Sequence, residues 1–378
     1  MRELGDPKEL MYDLLEKMKG FEASDLHLKT GFPPFYRVAG ALRRIELPSI
    51  DQSSFMNDML ACLVPEERRH EYNERGDLDF AFRDAEGDRF RVNVFRSMGE
   101  MHAAIRRVQS KIPSFDELNL PQVYRDTIDR THDGLILVSG VTGSGKTSTL
   151  AAMLEYINQS RTLHIITIED PVEFVFDHAK AIISQREIGI DIANYDEALR
   201  YVVRQDPDII FIGEMRDKAT MLAAIQAAET GHMVLGSLHC FDVPQTFARI
   251  LEFFPRDEHD FIRSSVANSL VAIMCQRLLP ACEPGKRVPA TEVLLNNATV
   301  KEKIRHEEDE DLSAIITSST EEGMRSFTMS LTELVEKEAI YFDTAMEYAP
   351  NRDALQSAVK GIKTSAESLV GRVRGRQK

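Results

Sequence analysis

The chain has 378 residues, long enough for two or three separately cored domains, because single cores rarely grow beyond a few hundred residues. Hydrophobic residues make up 43% and charged residues 28%, with no run of about eighteen apolar residues, which excludes a helical membrane-spanning protein. A formal net charge of -15 repels a phosphate backbone and argues against generic nucleic-acid binding, although basic residues cluster between Arg83 and Lys111.

In chain order, the first twenty residues place Leu10, Met11, Leu14, Leu15 and Met18 at helical spacing. They lack the uninterrupted apolar stretch of a signal peptide, so a cytoplasmic protein is expected. "SDLHLKTGFPPFYRV" alternates like a strand broken by Pro33 and Pro34, and a second helix is expected over "DQSSFMNDMLACLV". "LDFAFR", "DRFRVNVFRS" and "MHAAIRRV" read as strands, which makes the segment to residue 110 a compact α/β domain. "QSKIPSFDELNLPQ" carries two prolines and little periodicity, so a linker is placed at residues 111–120.

From "GLILVSG" onward, apolar strands alternate with helices: "HIITIED", "AIISQREI", "EALRYVVRQ", "DIIFIGE", "TMLAAIQAAETG" and "MVLGSLH". Strands that are apolar throughout predict a largely parallel sheet covered on both faces. Beyond residue 244 the pattern reads as mostly helical. The acidic run "HEEDED", residues 306–311, is expected to be a solvated loop. Cys62, Cys240, Cys275 and Cys282 are scattered with no C-x-x-C pair, so free thiols are expected.

"GVTGSGKTST", residues 140–149, fits G-x-x-x-x-G-K-[ST] between an apolar strand and a helix. Gly140, Gly143 and Gly145 let backbone N–H groups turn inward around phosphate oxygens, and the helix N-terminus adds the positive end of its dipole. Lys146 reaches the β and γ phosphates, Thr147 offers its hydroxyl to Mg²⁺, and Thr142, Ser144 and Ser148 complete the phosphate-binding set. ATP with Mg²⁺ is the expected ligand.

Such a site also needs a metal anchor and a base for water. In "DPDIIFIGEMRD" the strand ends in Gly213 and Glu214, with glycine where a Walker B aspartate usually stands; Glu214 is expected to act on Mg²⁺ partly through water. "HIITIEDPVEF" ends in Glu169, Asp170 and Glu173, of which Glu173 is the preferred general base, with Glu214 second. The bland reading makes these ordinary surface carboxylates at strand ends. "ETGHMVLGSLHC" puts His232 and His239 at the two ends of one strand. His239 is better placed for a γ phosphate, while His232 is a further catalytic candidate that could instead cap or pack.

These four segments, in this order, resemble the Walker A, Asp, Walker B and His boxes of the type II/IV secretion ATPases, in particular the PilT/PilU group of type IV pilus retraction motors. "SDLHLKTGFPPFYRVAG" and "RFRVNVF" are also similar to that group. The resemblance implies an α/β fold: a PAS-like domain over residues 1–110, a RecA-like P-loop ATPase core over 121–345 with C-terminal helices, and a C-terminal helix and basic tail over 346–378. It implies a homo-hexamer at the cytoplasmic side of the inner membrane, acting on a pilus platform protein, with a paralogous retraction ATPase as a candidate partner and without direct nucleic-acid contact. It also implies that Arg91 and Arg106 approach the nucleotide phosphates as arginine fingers do.

Pilus assembly and type II secretion relatives carry a four-cysteine motif after the His box, which is missing here, so retraction is favoured over assembly. Where retraction motors have A-I-R-x-x-x-R, this chain has "TVKEKIR", keeping Arg305 and placing Lys301 at the first arginine. That substitution, with the basic tail of Arg372, Arg374 and Arg376, leaves open an accessory PilU-like role. A related motor with a different load is also compatible with the nucleotide-binding segments; net charge and the absence of aromatic residues interleaved with basic ones weigh against a RecA-like DNA translocase.

Overall fold

A computed structural model describes residues 4–38, 40–108 and 111–361. The chain divides into two compact units, residues 1–111 with 172–175, and residues 112–171 with 176–378. Both are mixed α/β structures, each organised on one sheet.

The first unit begins with helix Pro7–Gly20, whose N-terminus is capped by the Asp6 carboxylate accepting from the Lys8 and Glu9 amides. Its apolar stripe buries Leu10, Met11, Leu14, Leu15 and Met18, as the spacing predicts. Beside it lies a six-stranded antiparallel sheet: β1 (Ala23–Leu28), β2 (Phe35–Val38), β3 (Ala41–Arg44), β4 (Asp77–Arg83), β5 (Arg89–Ser97) and β6 (Glu100–Arg107). The order across it is β3-β2-β1-β6-β5-β4. Alternation along β5 buries Phe90, Val92 and Val94 with the helices, and turns Arg91 and Asn93 to the other face.

The second unit is built on seven strands: β7 (Gly134–Ser139), β8 (His164–Glu169), β9 (Ile182–Glu187), β10 (Ile209–Ile212), β11 (Met233–Leu238), β12 (Leu270–Pro280) and β13 (Arg287–Leu295). Their order is β13-β12-β7-β11-β10-β8-β9. All neighbours are parallel except β12 and β13. Every residue of β7, β10 and β11 is buried, which is why these strands read as continuous apolar runs.

Two features depart from the sequence reading. Residues beyond 244 are mostly helical, as the sequence suggests, but β12 and β13, which it does not reveal, complete the sheet. "LVAIMCQRLLP" has no apolar alternation and follows helix His259–Ser269 without a breaker, so its strand character comes from pairing with β7, more than a hundred residues away in the chain. The acidic run is largely exposed, as expected, but it is tied down by ion pairs. Arg263 grips Asp309 with both terminal nitrogens, at 2.6 and 2.7 Å, and Lys303 pairs with Glu308 and Asp311.

The four cysteines are free thiols. No helix among the described residues is long and apolar enough to cross a membrane. The basic tail lies outside the described residues.

Candidate functional site

The site grows from the carboxyl end of β7, where the chain leaves the sheet, runs through residues 140–145 and enters helix Lys146–Ser160. Gly143 and Gly145 have φ of +80° and +89°, the left-handed region where a Cβ is penalised. Gly140 is required by close approach, since a Cβ there would lie 2.4 Å from Ser144 Oγ and 2.5 Å from the Gln276 carbonyl oxygen. The helix has no side-chain cap at its start, so its first-turn N–H groups remain available to a ligand. Lys146 is buried, and its Nζ donates to the carbonyls of Gly140 (2.7 Å) and Val141 (3.3 Å). The Ser144 hydroxyl is buried without a hydrogen-bond partner among the described residues, a donor suited to a phosphate oxygen. Thr147 and Ser148 lie in the first helical turn, and Thr142 is exposed in the loop.

Two neighbouring strands deliver ionisable groups to the same edge. The Ser237 hydroxyl donates to the Gly213 carbonyl at 2.6 Å and the Met215 amide donates to the Ser237 carbonyl at 3.0 Å, lashing the turn after β10 to β11. Glu214, between these anchors, meets Arg216 Nη2 with Oε2 at 2.7 Å and His239 Nε2 with Oε1 at 3.1 Å. Burial pushes its carboxyl up, but Arg216, His239 and the Lys146 ammonium outweigh burial and hold the pKa below the usual value. Burial, aided by the Lys146 charge, holds the His239 imidazole below its usual pKa against the opposing pull of Glu214. Lys146, Glu214 and His239 therefore share one electrostatic environment. The missing Walker B carboxylate has a steric reason: a Cβ at Gly213 would lie 3.3 Å from Glu169 Cα and 3.4 Å from the Ile168 carbonyl on β8.

Of the other candidates, His232 is remote from this cluster. His232 lies just before the amino end of β11, about 23 Å from His239 at the strand rise per residue. Its Nδ1 is 3.0 Å from the Ala227 carbonyl at the end of helix Lys218–Glu229, a local packing contact. Glu169 is buried and accepts from the Thr167 hydroxyl at 2.6 Å and Gln185 Nε2 at 3.2 Å. Glu173 lies within residues 172–175, which belong to the first compact unit.

In the first unit, Arg91 on β5 stands directly opposite Arg106 on β6. Arg106 Nε donates to Asp25 Oδ1 at 2.8 Å, and Arg91 Nε lies 3.7 Å from Asp79 Oδ1. The two arginines thus form a cross-strand pair steadied by carboxylates, with the Arg106 side chain 67% exposed.

Sequence reasoning missed Gln276. It lies on β12, just past the residue that pairs with Ser139, and its buried amide bonds the loop and the helix of the phosphate cradle. No local pattern marks it, because its importance depends on β12 lying beside β7.

A glycine-rich turn on a parallel strand, a buried lysine at the start of the following helix and a carboxylate at a neighbouring strand end define a P-loop nucleotide-binding ATPase core. The model of the type II/IV secretion system protein family matches residues 7–368, and the chain belongs to that family.

Among relatives, it is similar to the type IV pilus retractation ATPase PilT of Pseudomonas aeruginosa, 38% identical over 327 residues, covering 86% of this chain and 94% of the relative. It is also similar to the type IV pilus ATPase PilU of the same organism, 34% identical over 363 residues, covering 96% and 94%. A twitching motility protein of Neisseria gonorrhoeae is 37% identical over 322 residues, 85% of this chain and 86% of that protein. The crystal structure of the pilus retraction motor PilT with bound ADP matches with a TM-score of 0.84 at 37% identity, covering 91% of this chain and 98% of that one. The chain is an ATPase of this fold.

Proposed function

We propose that the chain is a hexameric, Mg²⁺-dependent ATPase that powers type IV pilus retraction and so twitching motility. The observation that carries this reading is the convergence of Lys146, Glu214 and His239 at one edge of the parallel sheet, in a chain similar to PilT and PilU along most of its length. In this reading residues 1–110 form the PAS-like domain, 111–120 the linker, 121–345 the RecA-like ATPase domain and 346–378 a C-terminal helix and tail. The motor works at the cytoplasmic face of the inner membrane, against a pilus platform protein.

The phosphates of ATP lie on the N–H groups of residues 140–147, and Lys146 leaves its loop carbonyls to meet them. Mg²⁺ carried in with the nucleotide would supply neutralisation of phosphate charge. The residues fit an ion carried in by ATP, since no cluster of three or more His, Cys, Asp or Glu side chains among the described residues could hold a metal unaided, and Mg²⁺ needs only one or two protein oxygens beside phosphates and water. The Thr147 hydroxyl would hold the ion, with Glu214 as the second oxygen ligand acting partly through water. Glu173 or Glu214 takes the proton of the attacking water, the neutral His239 imidazole faces the γ phosphate, and Arg91 and Arg106 neutralise phosphate charge.

A Lys146→Ala replacement in the chromosome tests this. The purified variant is expected to fold and to lose ATP turnover, and the cells are expected to carry more surface pili and to move less. Persistent hydrolysis would overturn the site, and an unchanged pilus count with normal motility would overturn the retraction load.

The second reading is an accessory, PilU-like subunit that modulates a primary retraction motor. It is favoured by Lys301 at the first arginine position of the C-terminal segment and by a PilU match that covers 96% of this chain. A low ATPase rate alone that rises only with a paralogous motor would select it.

A further inference from the structure

The parallel pairing of β12 with β7 sets Cys275 opposite Ser139, so the next residue, Gln276, arrives beside the first glycine of the phosphate cradle. The residue is 1% exposed. Nε2 donates to the Ser144 carbonyl at 2.7 Å, and Oε1 accepts from the Thr149 hydroxyl at 2.9 Å. The Gln276 backbone carbonyl, together with Ser144 Oγ, bars a Cβ at Gly140, and Gln276 Nε2 lies 3.1 Å from where a Cβ of Gly145 would stand. One residue of a distant strand therefore shapes the loop at both ends.

The consequence follows from peptide geometry. In a planar trans peptide the C=O and the following N–H point in opposite directions. Holding the Ser144 carbonyl outward on Gln276 keeps the Gly145 N–H turned inward. Gly145, with φ of +89°, has no side chain to oppose rotation of that peptide, so an external anchor is needed to hold it. Thr149 orients the anchor: its hydroxyl donates to Oε1 and so directs the Gln276 NH₂ toward Ser144.

We propose that Gln276 is a positioning residue for nucleotide binding, which holds the Ser144–Gly145 peptide so that its N–H faces the phosphates. This rests on residues 140–147 being the phosphate cradle. Gln276 touches no phosphate itself and acts through the peptide it anchors, with Thr149 as its orienting partner.

The test is calorimetric titration of ADP, with MgCl₂, into the full-length protein. Gln276→Met keeps the length of the side chain and removes both hydrogen bonds. It is expected to raise the ADP dissociation constant about tenfold, the scale of one lost buried hydrogen bond. The KM for ATP rises in parallel, while kcat at saturating ATP changes much less. Thr149→Val, which removes only the orienting bond, raises the constant about threefold, and Thr149→Ser recovers most of the loss.

Binding of ADP by Gln276→Met within twofold of wild type, or a fall in kcat at unchanged affinity, would overturn the proposal. If Gln276→Met does not fold, the Thr149→Val and Thr149→Ser pair decides: equal affinities in the two overturn it. A wild-type protein that binds no ADP would overturn the cradle itself, which separates the two failures.

Discussion

Strands β5 and β10 show two ways of placing charge in a sheet. Along β5 buried Phe90, Val92 and Val94 alternate with Arg91 and Asn93, because one face of the antiparallel sheet is left polar. Along β10 all four residues are buried, and charge appears only beyond the strand, at Glu214. A sheet covered on both faces tolerates ionisable groups mainly at its edges, so its chemistry collects where strands end. A sheet with a free face can carry arginines along its length, each steadied by a carboxylate such as Asp25 or Asp79.

The largest expected effect breaks or keeps the strand-end half of this contrast. Glu214→Gln is expected to bind nucleotide and to turn over ATP at least about a hundredfold more slowly. Measured beside it, Glu173→Gln identifies the base, which is whichever variant alone loses turnover. A Glu214→Gln protein as fast as wild type would show that the charge at this strand end is incidental.

Glu292 is the exception that sharpens the contrast, a carboxylate inside β13 rather than at its end. It accepts from the Val243 amide at 2.8 Å, and burial still pushes its pKa up to about 7. A raised carboxylate binds its proton more tightly in the folded state than in the unfolded one. Its stabilising contribution is thus complete below the unfolded value near 4.5 and is lost as pH rises to about 7. The size is about 3 kcal/mol. Glu292→Gln, which cannot ionise, is expected to narrow the fall in melting temperature between pH 5 and pH 8; an unchanged gap would mean that Glu292 does not titrate in this range.

The smallest effect belongs to the open face. Burial raises the Asp25 carboxyl, and the Ser24 hydroxyl and Arg106 outweigh it, so its pKa lies below the usual 3.8. The stability this supplies is present above that value and is lost as pH falls through the folded pKa. Because Arg106 is mostly exposed, solvent screens the pair. Arg106→Ala should move the acid-unfolding midpoint to higher pH while changing the neutral melting temperature by no more than about 2 °C. A midpoint that does not move would show the pair to be energetically silent.

Legibility follows the range of the interactions. The strand-loop-helix around residues 134–160 is directly legible, because an apolar run, three glycines and a helix start are all local signals. The alternation of β5 is equally plain, and with it the shared face of Arg91 and Asn93. His232 and His239 flank one strand, and the sequence already favours His239, at the strand's far end. The parallel direction of β11 sets that end where the Lys146 charge acts on it, and leaves His232 to pack on helix Lys218–Glu229. The β12 segment is hidden within a stretch read as mostly helical, because uniform hydrophobicity is common to buried helices and buried strands.

By itself the sequence determined the glycine-rich turn between strand and helix at residues 134–160, the apolar character of the strands around it and much of the order of elements as far as residue 244. The tertiary structure alone decided which strand lies beside β7, and with it the contact of Gln276 with Ser144 and Thr149 and the meeting of Glu214 with His239. The reason is physical: glycine, lysine and periodicity act within a few residues, whereas strand pairing is chosen by the burial of two whole faces, between segments whose separation along the chain leaves no local trace.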